Sequence, residues 1–298
     1  MKALNQIHLQ ILQMIFEVYD KHYLKDSKFK SEGFLMPLIE LIETDLNAYA
    51  NRDPAAKNHL YVLDSYLTFK AVLWYRVAHA LLNLDQSFMT VSRMISENAK
   101  SFSGIEIHPA AKFGIGLVID HGTGVVIGET SIVGNYAYLL NGVVLGANGI
   151  ADNVAGHRRH PLIGDFFECA ANVKILGAVS IGNNVKVGAD CRIDYDLDDN
   201  SVSYCKTIIE TYRDYDAVKI DSIISLKKEQ VAIEGRNLKV IDECVWVDDN
   251  QKEVNAPFEQ TNLGGITVLL KGLITKFSSV NVLLKRKGRV IVRASFLI

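Results

Sequence analysis

The chain has 298 residues, of which 49% are hydrophobic and 22% are charged, and its formal net charge is -2. This near-neutral balance provides no general attraction to nucleic acid or to an anionic membrane, so we expect neither as a partner. The start of the chain shows no export signal, and no apolar window is long enough to span a bilayer. Four scattered cysteines lack the spacing of a metal site or a disulfide framework. We therefore expect a cytoplasmic protein that holds no metal ion.

Residues 1–102 are predicted to form a helical domain. Apolar residues recur there at helical spacing, as in the stripe over residues 7–18. Pro37 is expected to open the second helix, because proline is tolerated in a first helical turn. A third helix is expected over about residues 64–83 and a fourth over about residues 86–100. The apolar stripes are most simply packing surfaces.

The central stretch repeats an apolar residue at every sixth position. This register contains Ile107, Phe113, Ile119, Val125, Ala137 and Val143, with Ser131 as a polar interruption, and it returns at Ile163, Cys169, Ile175, Ile181, Val187 and Ile193. A six-residue period fits neither a helix nor an open strand, and a fixed period of self-similarity marks a solenoid. We predict a parallel β-helix over residues 103–205, with these residues in its core and segment 148–162 extruded as a loop.

Residues 206–298 are predicted to form a β-rich extension, to which the sequence assigns no role. Alternating apolar segments are separated there by turn signals such as Asp248-Asp249-Asn250 and Gly264-Gly265. The basic residues within 285–293 are typical of a solvated hairpin rather than of a binding patch. The chain is therefore expected to be an α+β protein with three domains, 1–102, 103–205 and 206–298.

Ionisable residues are dense within the predicted β-helix, although the core of such a fold is apolar. Asp120 and His121 are adjacent, Glu129 follows them, and Arg159 and His160 stand at the end of the predicted loop. A histidine beside a carboxylate at a coil corner, together with an Arg-His pair on a loop, favours acid–base chemistry over a purely structural role.

These motifs resemble the serine O-acetyltransferase family, whose members acetylate serine ahead of cysteine synthesis. The resemblance covers about residues 36–200. It is carried by Asp45-Leu46, Arg52-Asp53-Pro54-Ala55, Tyr75-Arg76 with His79, Ile107-His108-Pro109-Ala110-Ala111-Lys112, Asp120-His121-Gly122-Thr123-Gly124, Gly128-Glu129-Thr130, Arg159-His160-Pro161 and Lys174-Ile175-Leu176-Gly177. It implies a left-handed β-helix, acetyl-CoA as cosubstrate, and a homotrimer or a hexamer in which neighbouring subunits share each site.

The resemblance also implies roles for individual residues. His121 corresponds to the general base that deprotonates the acceptor hydroxyl, and Glu106 to the residue that orients its imidazole. An imidazole suits this role because it can accept a proton near neutral pH. The residues implied to hold the amino acid are Asp53, Asp120, Glu129, Arg159 and His160, and those implied to hold acetyl-CoA are Gly146, Ala147, Ala171, Lys186, Gly188 and Ala189.

Several positions depart from the family pattern. Glu106 stands where the family carries aspartate, and stretch 145–150 lacks a glycine and a lysine expected near the cofactor. Two alternatives therefore stay open: transfer of an acyl group to another small hydroxyl or amine acceptor, and a non-catalytic scaffold derived from the family. The last residue, Ile298, matches the family residue that O-acetylserine sulfhydrylase recognises, but here it follows a predicted strand and coincidence is favoured.

Overall fold

The computed structural model describes residues 5–22, 24, 29, 31–149, 156–204, 207–211, 219–227, 230–236, 238–247, 253–260, 266–269 and 279–297. The chain divides into two units, Met1–Tyr204 and Cys205–Ile298. The first unit contains both the helices and the six-residue repeat, and the second unit contains the β-rich extension.

The repeat folds into short strands that visit three parallel sheets in turn. The strands are β1 (Glu106–Ile107), β2 (Lys112–Phe113), β3 (Val118–Ile119), β4 (Val126–Ile127), β5 (Ile132–Val133), β6 (Tyr138–Leu139), β7 (Val144–Gly146), β8 (Leu162–Ile163), β9 (Glu168–Cys169), β10 (Lys174–Leu176), β11 (Ser180–Ile181), β12 (Lys186–Val187), β13 (Arg192–Ile193) and β14 (Val202–Ser203). Sheet A has the order β1-β4-β7-β10-β13, sheet B β2-β5-β8-β11, and sheet C β3-β6-β9-β12-β14. This arrangement confirms the predicted left-handed parallel β-helix.

The residues of the six-residue register fill the interior of the coil. All of them are at most 4% exposed except Phe113, which is half-buried. The predicted loop leaves the coil after β7 and ends where β8 begins at Leu162, while residues 150–155 lie outside the described part of the chain. Burial of this apolar register is the main source of stability for the coil.

Two edges of this three-sided coil matter for the site. At the C–A edge the chain turns from sheet C to sheet A, at residues 120–125, 140–143, 170–173 and 188–191. At the A–B edge it turns from sheet A to sheet B, at residues 108–111, 128–131 and 177–179 and through the extruded loop. Residues that occupy different edges of one coil face different directions.

The helices of the first unit are α1 (Gln6–Lys21), α2 (Glu32–Arg52), α3 (His59–Ser65), α4 (Leu67–Leu84) and α5 (Met89–Ser103). The prediction that Pro37 opens the second helix is wrong, because α2 begins at Glu32 and contains Pro37. The third predicted helix is divided at Tyr66 into α3 and α4. Among the described residues, no helix is both long and apolar enough to cross a membrane.

The helices pack against the first coil of the β-helix and hold the strand that precedes Asp120. The Tyr49 hydroxyl donates to the carbonyl oxygen of Ile119 (2.9 Å) and accepts from its N–H (3.0 Å). Tyr49 is only 1% exposed, so both bonds form away from solvent. A buried side chain on α2 therefore sets the backbone position immediately before Asp120 and His121.

The second unit consists of two antiparallel sheets. Its strands are β15 (Thr207–Thr211), β16 (Lys219–Lys227), β17 (Gln230–Arg236), β18 (Glu243–Val247), β19 (Glu253–Asn255), β20 (Phe258–Gln260), β21 (Ile266–Leu269), β22 (Ser279–Arg286) and β23 (Arg289–Leu297). The orders are β15-β23-β22-β18-β19 and β16-β17-β21-β20. Both predicted turns, 248–250 and 264–265, lie outside the described residues.

The basic residues of the second unit only partly follow the prediction of a solvated hairpin. Lys287 and Gly288 form the turn between β22 and β23, and Lys287 is exposed. Lys285, in contrast, is 8% exposed and its ammonium pairs with the carboxylates of Glu253 and Glu243. A buried ammonium needs such partners, because an unpaired charge is costly to remove from water.

Candidate active site

The Asp120–His121 pair lies at the C–A edge, between β3 and β4. His121 has a positive φ of 60°, a conformation that few non-glycine residues adopt, and Gly122 follows with φ 59°. The imidazole is 75% exposed, and its Nε2 lies 3.8 Å from Asp120 Oδ2. A Cβ on Gly122 would lie 2.5 Å from Ile105 Cδ1, so glycine lets this corner pack closely. The turn thus presents the His121 ring to solvent, where an acceptor can reach it.

Asp53, at the C-terminal end of α2, and Asp120, at the C–A edge, each accept a hydrogen bond from a tyrosine hydroxyl. Tyr66 donates to Asp53 Oδ2 (2.7 Å), and Tyr138 donates to Asp120 Oδ2 (3.0 Å). Burial raises the pKa of Tyr66 to about 12, with further contributions from both aspartates, and burial and the same two aspartates raise the pKa of Tyr138. Because each carboxylate acts on both phenols, the two aspartates share one neighbourhood.

A charged network continues along the outer face of sheet C. The Arg52 guanidinium donates to the carbonyl oxygen of Tyr136 (2.7 Å) and to Glu168 Oε1 (3.1 Å). Lys186 Nζ lies 2.9 Å from Glu168 Oε2. Glu168 therefore joins the end of α2 to the later coils, and it offsets the charges of both Arg52 and Lys186.

A groove of about 330 Å³ runs over the same face, from Tyr138 and Leu140 to Tyr204. Two of the residues predicted to hold acetyl-CoA, Lys186 and Gly188, line it. Ala171 lies at the C–A edge between β9 and β10. Ala189 lies at the same edge between β12 and β13, and it is exposed. Gly146 is instead the last residue of β7, and Ala147 follows it at the A–B edge. The structure thus places the predicted cofactor residues on two edges.

Arg159 and Glu129 lie at the A–B edge and pair with each other. Arg159 Nη2 donates to Glu129 Oε2 at 2.5 Å, and this bond holds the pKa of the Glu129 carboxyl below its usual range. The Arg159 guanidinium, which the resemblance implies helps to hold the amino acid, is therefore already partnered by a carboxylate of its own chain.

His160 is buried at the A–B edge. It is 7% exposed, and its Nδ1 accepts the N–H of Thr130 at 3.2 Å. A Cβ on Gly128 would lie 2.0 Å from His160 Nε2, so the ring rests against the backbone of that glycine. Burial, followed by the charge of Arg159, lowers the pKa of His160. A neutral imidazole in this position supports the loop that carries Arg159.

Glu106 lies on sheet A and is held by α5. Its carboxylate accepts from Lys100 Nζ (2.5 Å) and Arg93 Nη2 (3.3 Å), and Lys100 is the main cause of its lowered pKa. Within the described residues, its side-chain partners do not include His121. Two nearby cations attract the carboxylate more strongly than a neutral imidazole does. The orienting role of Glu106 stays a prediction.

Comparison with known proteins assigns the chain to a family. It is 42% identical over 166 residues to the serine acetyltransferase of Helicobacter pylori strain 26695, covering 55% of this chain and 94% of that protein. The chain belongs to the serine acetyltransferase family. A second relative, the serine acetyltransferase of Synechococcus elongatus, is 41% identical over 152 residues, which make up 51% of this chain and 60% of that protein.

Solved structures of the serine acetyltransferase family share the fold. One structure described as a serine acetyltransferase complex with CoA matches with a TM-score of 0.55 and 25% identity, covering 66% of this chain and 80% of that chain. No protein-family model matches the chain. Among the described residues, no group of three or more His, Cys, Asp or Glu side chains could hold a metal ion.

The sequence analysis did not single out two residues of this candidate site, Tyr66 and Tyr138, which contact Asp53 and Asp120. Tyr138 is the outward residue of β6, next to the core residue Ala137. A large aromatic residue at an outward position on the same sheet as Lys186, two coils below it, is the signal that could have indicated Tyr138. Tyr66 carries no such signal, because its contact with Asp53 depends on how α3 and α4 meet.

Proposed function

We propose that this chain transfers the acetyl group of acetyl-CoA to the hydroxyl of L-serine, with His121 as general base. The observation that carries the proposal is the exposed His121 imidazole 3.8 Å from the Asp120 carboxylate, with the Asp53 carboxylate acting on the same two tyrosines as Asp120. A base of this kind typically accelerates proton transfer by about 10²–10⁴-fold.

Asp53 and Asp120 hold the ammonium group of the amino acid in this proposal. Two neighbouring carboxylates create a negative potential that favours a cation, and the attraction is strengthened where part of the solvent is excluded. Tyr66 and Tyr138 add no positive charge to the carboxylates they contact. The pair therefore keeps its capacity to bind an ammonium.

The reaction requires one proton to move twice. His121 takes the proton of the serine hydroxyl while the hydroxyl oxygen attacks the thioester carbonyl carbon, which forms a C–O bond. The C–S bond then breaks, and the His121 imidazolium returns the proton to the sulfur. The products are O-acetylserine and CoA with a free thiol, and His121 is neutral again. This use of one group as base and then acid is ordinary acyl-transfer chemistry.

The groove on sheet C is the proposed place for acetyl-CoA. Lys186 supplies a cation there, and Gly188 and Ala170 leave the backbone accessible to an extended chain. Glu168 offsets part of the positive charge through its contact with Lys186. Ala171 and Ala189 are proposed to continue the contact surface at the C–A edge.

The two edges of one coil carry different parts of the proposed site. Asp120 and His121 lie at the C–A edge, whereas Glu129, Arg159 and Ala147 lie at the A–B edge, where β7 ends with Gly146. A cyclic assembly brings one edge of each subunit against the other edge of its neighbour, because the interface is heterologous. We propose a homotrimer, or a hexamer made of two trimers, in which each site combines these two edges.

A second candidate acceptor is favoured by the Arg159–Glu129 pair. Since Glu129 already neutralises Arg159, an acceptor with an ammonium and a hydroxyl but no carboxylate is the alternative to serine. A non-catalytic scaffold is the third candidate, but it gives no reason for an exposed imidazole beside the Asp120 carboxylate. The O-acetylserine sulfhydrylase partner depends on Ile298, which lies outside the described residues.

The deciding experiment measures thiol release from acetyl-CoA with a panel of acceptors. L-serine is compared with ethanolamine, which lacks the carboxylate, with 3-hydroxypropanoate, which lacks the ammonium, and with amino sugars. We expect the highest kcat/KM with L-serine. Higher activity with ethanolamine would identify an amino alcohol, rather than serine, as the acceptor. No thiol release with any acceptor would favour the non-catalytic scaffold.

A further inference from the structure

Tyr138 occupies a central position between the end of α2 and the Asp120–His121 corner. Its hydroxyl donates to Asp120 Oδ2 at 3.0 Å. The guanidinium carbon of Arg52 lies over its ring, 5.0 Å from the ring centroid. A cation over an aromatic face is attracted by the negative potential of that face. One side chain thus connects a cation of the helical part with a carboxylate of the proposed acceptor site.

The Tyr138 ring is held in place by groups that do not belong to the acceptor site. Arg52, which covers it, is itself fixed by the carbonyl oxygen of Tyr136 (2.7 Å) and by Glu168 (3.1 Å). Tyr138 pairs in register with Val118 below it and Glu168 above it on sheet C. Its hydroxyl therefore has a fixed direction before any acceptor binds.

That direction matters for Asp120. The oxygen that accepts from Tyr138 is Oδ2, the same atom that lies 3.8 Å from His121 Nε2. A fixed donor on Oδ2 restricts rotation of the carboxylate about its terminal bond, and so it keeps Oδ1 oriented away from the phenol. Among the described contacts, Asp120 Oδ1 accepts no hydrogen bond from the protein, which leaves it for a ligand.

Tyr66 makes the equivalent contact on the other carboxylate. It donates to Asp53 Oδ2 at 2.7 Å, while the N–H of Ala55 donates to Oδ1 at 2.8 Å. Asp53 therefore has a second donor that Asp120 lacks. Loss of the Tyr138 hydroxyl should therefore disturb Asp120 more than loss of the Tyr66 hydroxyl disturbs Asp53.

We propose that Tyr138 is a positioning residue for the acceptor, which fixes the Asp120 carboxylate so that it receives the acceptor's ammonium group. This inference rests on the proposed function, because it assigns Asp120 to the ammonium of the acceptor. Tyr138 does not touch the reacting atoms. It acts through Asp120, and Tyr66 supports Asp53 in the same way with a smaller effect.

The test replaces Tyr138 by phenylalanine, which removes the hydroxyl and keeps the ring beneath Arg52. Loss of a hydrogen bond to a charged group typically weakens binding by about tenfold. We expect the KM for L-serine to rise about tenfold in Tyr138→Phe, with kcat within about threefold of the wild-type value. The KM for acetyl-CoA should rise by a smaller factor than the KM for serine, because Tyr138 also lines the proposed acetyl-CoA groove and phenylalanine keeps its ring there. Tyr66→Phe should raise the serine KM by a smaller factor.

Tyr195→Phe is the matched control, because Tyr195 is 56% exposed and lies in a later coil. Its kinetic constants should equal those of the wild type. 3-Hydroxypropanoate has no ammonium, so its inhibition constant does not depend on the orientation of Asp120. This constant should be the same for Tyr138→Phe and the wild type if Tyr138 only positions Asp120. A general loss of structure would weaken both ligands and lower the melting temperature.

Different results of these experiments would contradict the inference about Tyr138 and the proposed function. If the wild type acetylates serine and Tyr138→Phe has an unchanged serine KM, the inference fails and the function stands. If the inhibitor and serine weaken equally, the role of Tyr138 is structural and the inference also fails. If the wild type releases no thiol with serine, the proposed function fails first, and the assignment of Asp120 to the acceptor fails with it.

Discussion

Arg76 and Asp45 form a bidentate ion pair that water does not reach. Arg76 Nε lies 2.8 Å from Asp45 Oδ2 and Nη2 lies 3.0 Å from Oδ1, and the two side chains are 1% and 0% exposed. Arg76 also donates to the carbonyl oxygens of Phe113 and Gly114, while Asp45 accepts the N–H of Leu117. The pair thus joins α2 and α4 to the backbone of the coil that leads to Asp120 and His121.

Asp45→Asn should therefore destabilise the protein strongly. The substitution leaves the Arg76 guanidinium buried without a counter-charge, which typically costs about 3–5 kcal/mol. Urea denaturation followed by circular dichroism measures the change. The control is Glu97→Gln, which removes an exposed pair with Arg93 on α5 and should cost less than about 0.5 kcal/mol. Equal midpoints for the two variants would show that the buried pair is not what fixes the helices to the coil.

His121→Asn should abolish most of the activity and leave the fold intact. Asparagine tolerates the positive φ of this position better than alanine does, so the turn is kept while the base is removed. We expect kcat to fall by about 10²–10⁴-fold and the free energy of unfolding to change by less than about 1 kcal/mol, because the ring is 75% exposed. His59→Asn on α3 is the matched control. Wild-type kcat in His121→Asn would exclude the imidazole as the base.

The fold could be predicted because the six-residue register depends only on which residues face the core. Ile107, Ser131 and Cys169 all lie inside the coil, including the polar one. The contacts of outward residues carry no such periodicity, so the hydrogen bond from Tyr138 to Asp120 could not be predicted. The start of α2 was predicted less well. Pro37 lies inside α2, five residues after its first residue, and it costs the helix one backbone N–H donor.

Residues outside the register also decide the candidate site. The resemblance assigned roles to His121, Asp53 and Asp120, and the structure places His121 beside Asp120. It could not show that Arg159 is neutralised by Glu129, or that Glu106 pairs with cations of α5. Both depend on which charges the folded chain brings within reach, and a motif does not contain that information.

Two inactive variants should restore activity when they assemble together, if each site combines edges from two subunits. His121→Asn removes the base from the C–A edge, and Arg159→Ala removes the cation from the A–B edge. In the mixed trimers that carry both variants, about one site in three receives both intact edges. Co-expression with two different tags, followed by tandem purification and assay, measures the recovery. Activity no higher than that of the single variants would place both residues in a site made by one chain.

Stability should fall as the pH drops below about 6.5, the ordinary pKa of histidine. Burial lowers the pKa of His79 in the folded protein, where Nδ1 donates to the carbonyl oxygen of Pro109 (2.7 Å) and Nε2 accepts from Asn83 (2.8 Å). The neutral ring satisfies both bonds, and a proton on Nε2 would break the second. The unfolded chain therefore binds more protons than the folded chain in this range. Stability is complete above the unfolded pKa and is lost as the pH falls towards the folded one.

His79→Gln tests how much of this pH dependence belongs to one residue. Urea midpoints are measured between about pH 7.5 and pH 5.5, where one extra proton on the unfolded chain changes the free energy of unfolding by up to about 1.4 kcal/mol per pH unit. We expect a smaller slope in His79→Gln than in the wild type. Some slope should persist, because burial also lowers the pKa of His22, His108 and His160. His59→Gln should keep the full slope, and a wild-type slope in His79→Gln as well would show that His79 is protonated equally in both states.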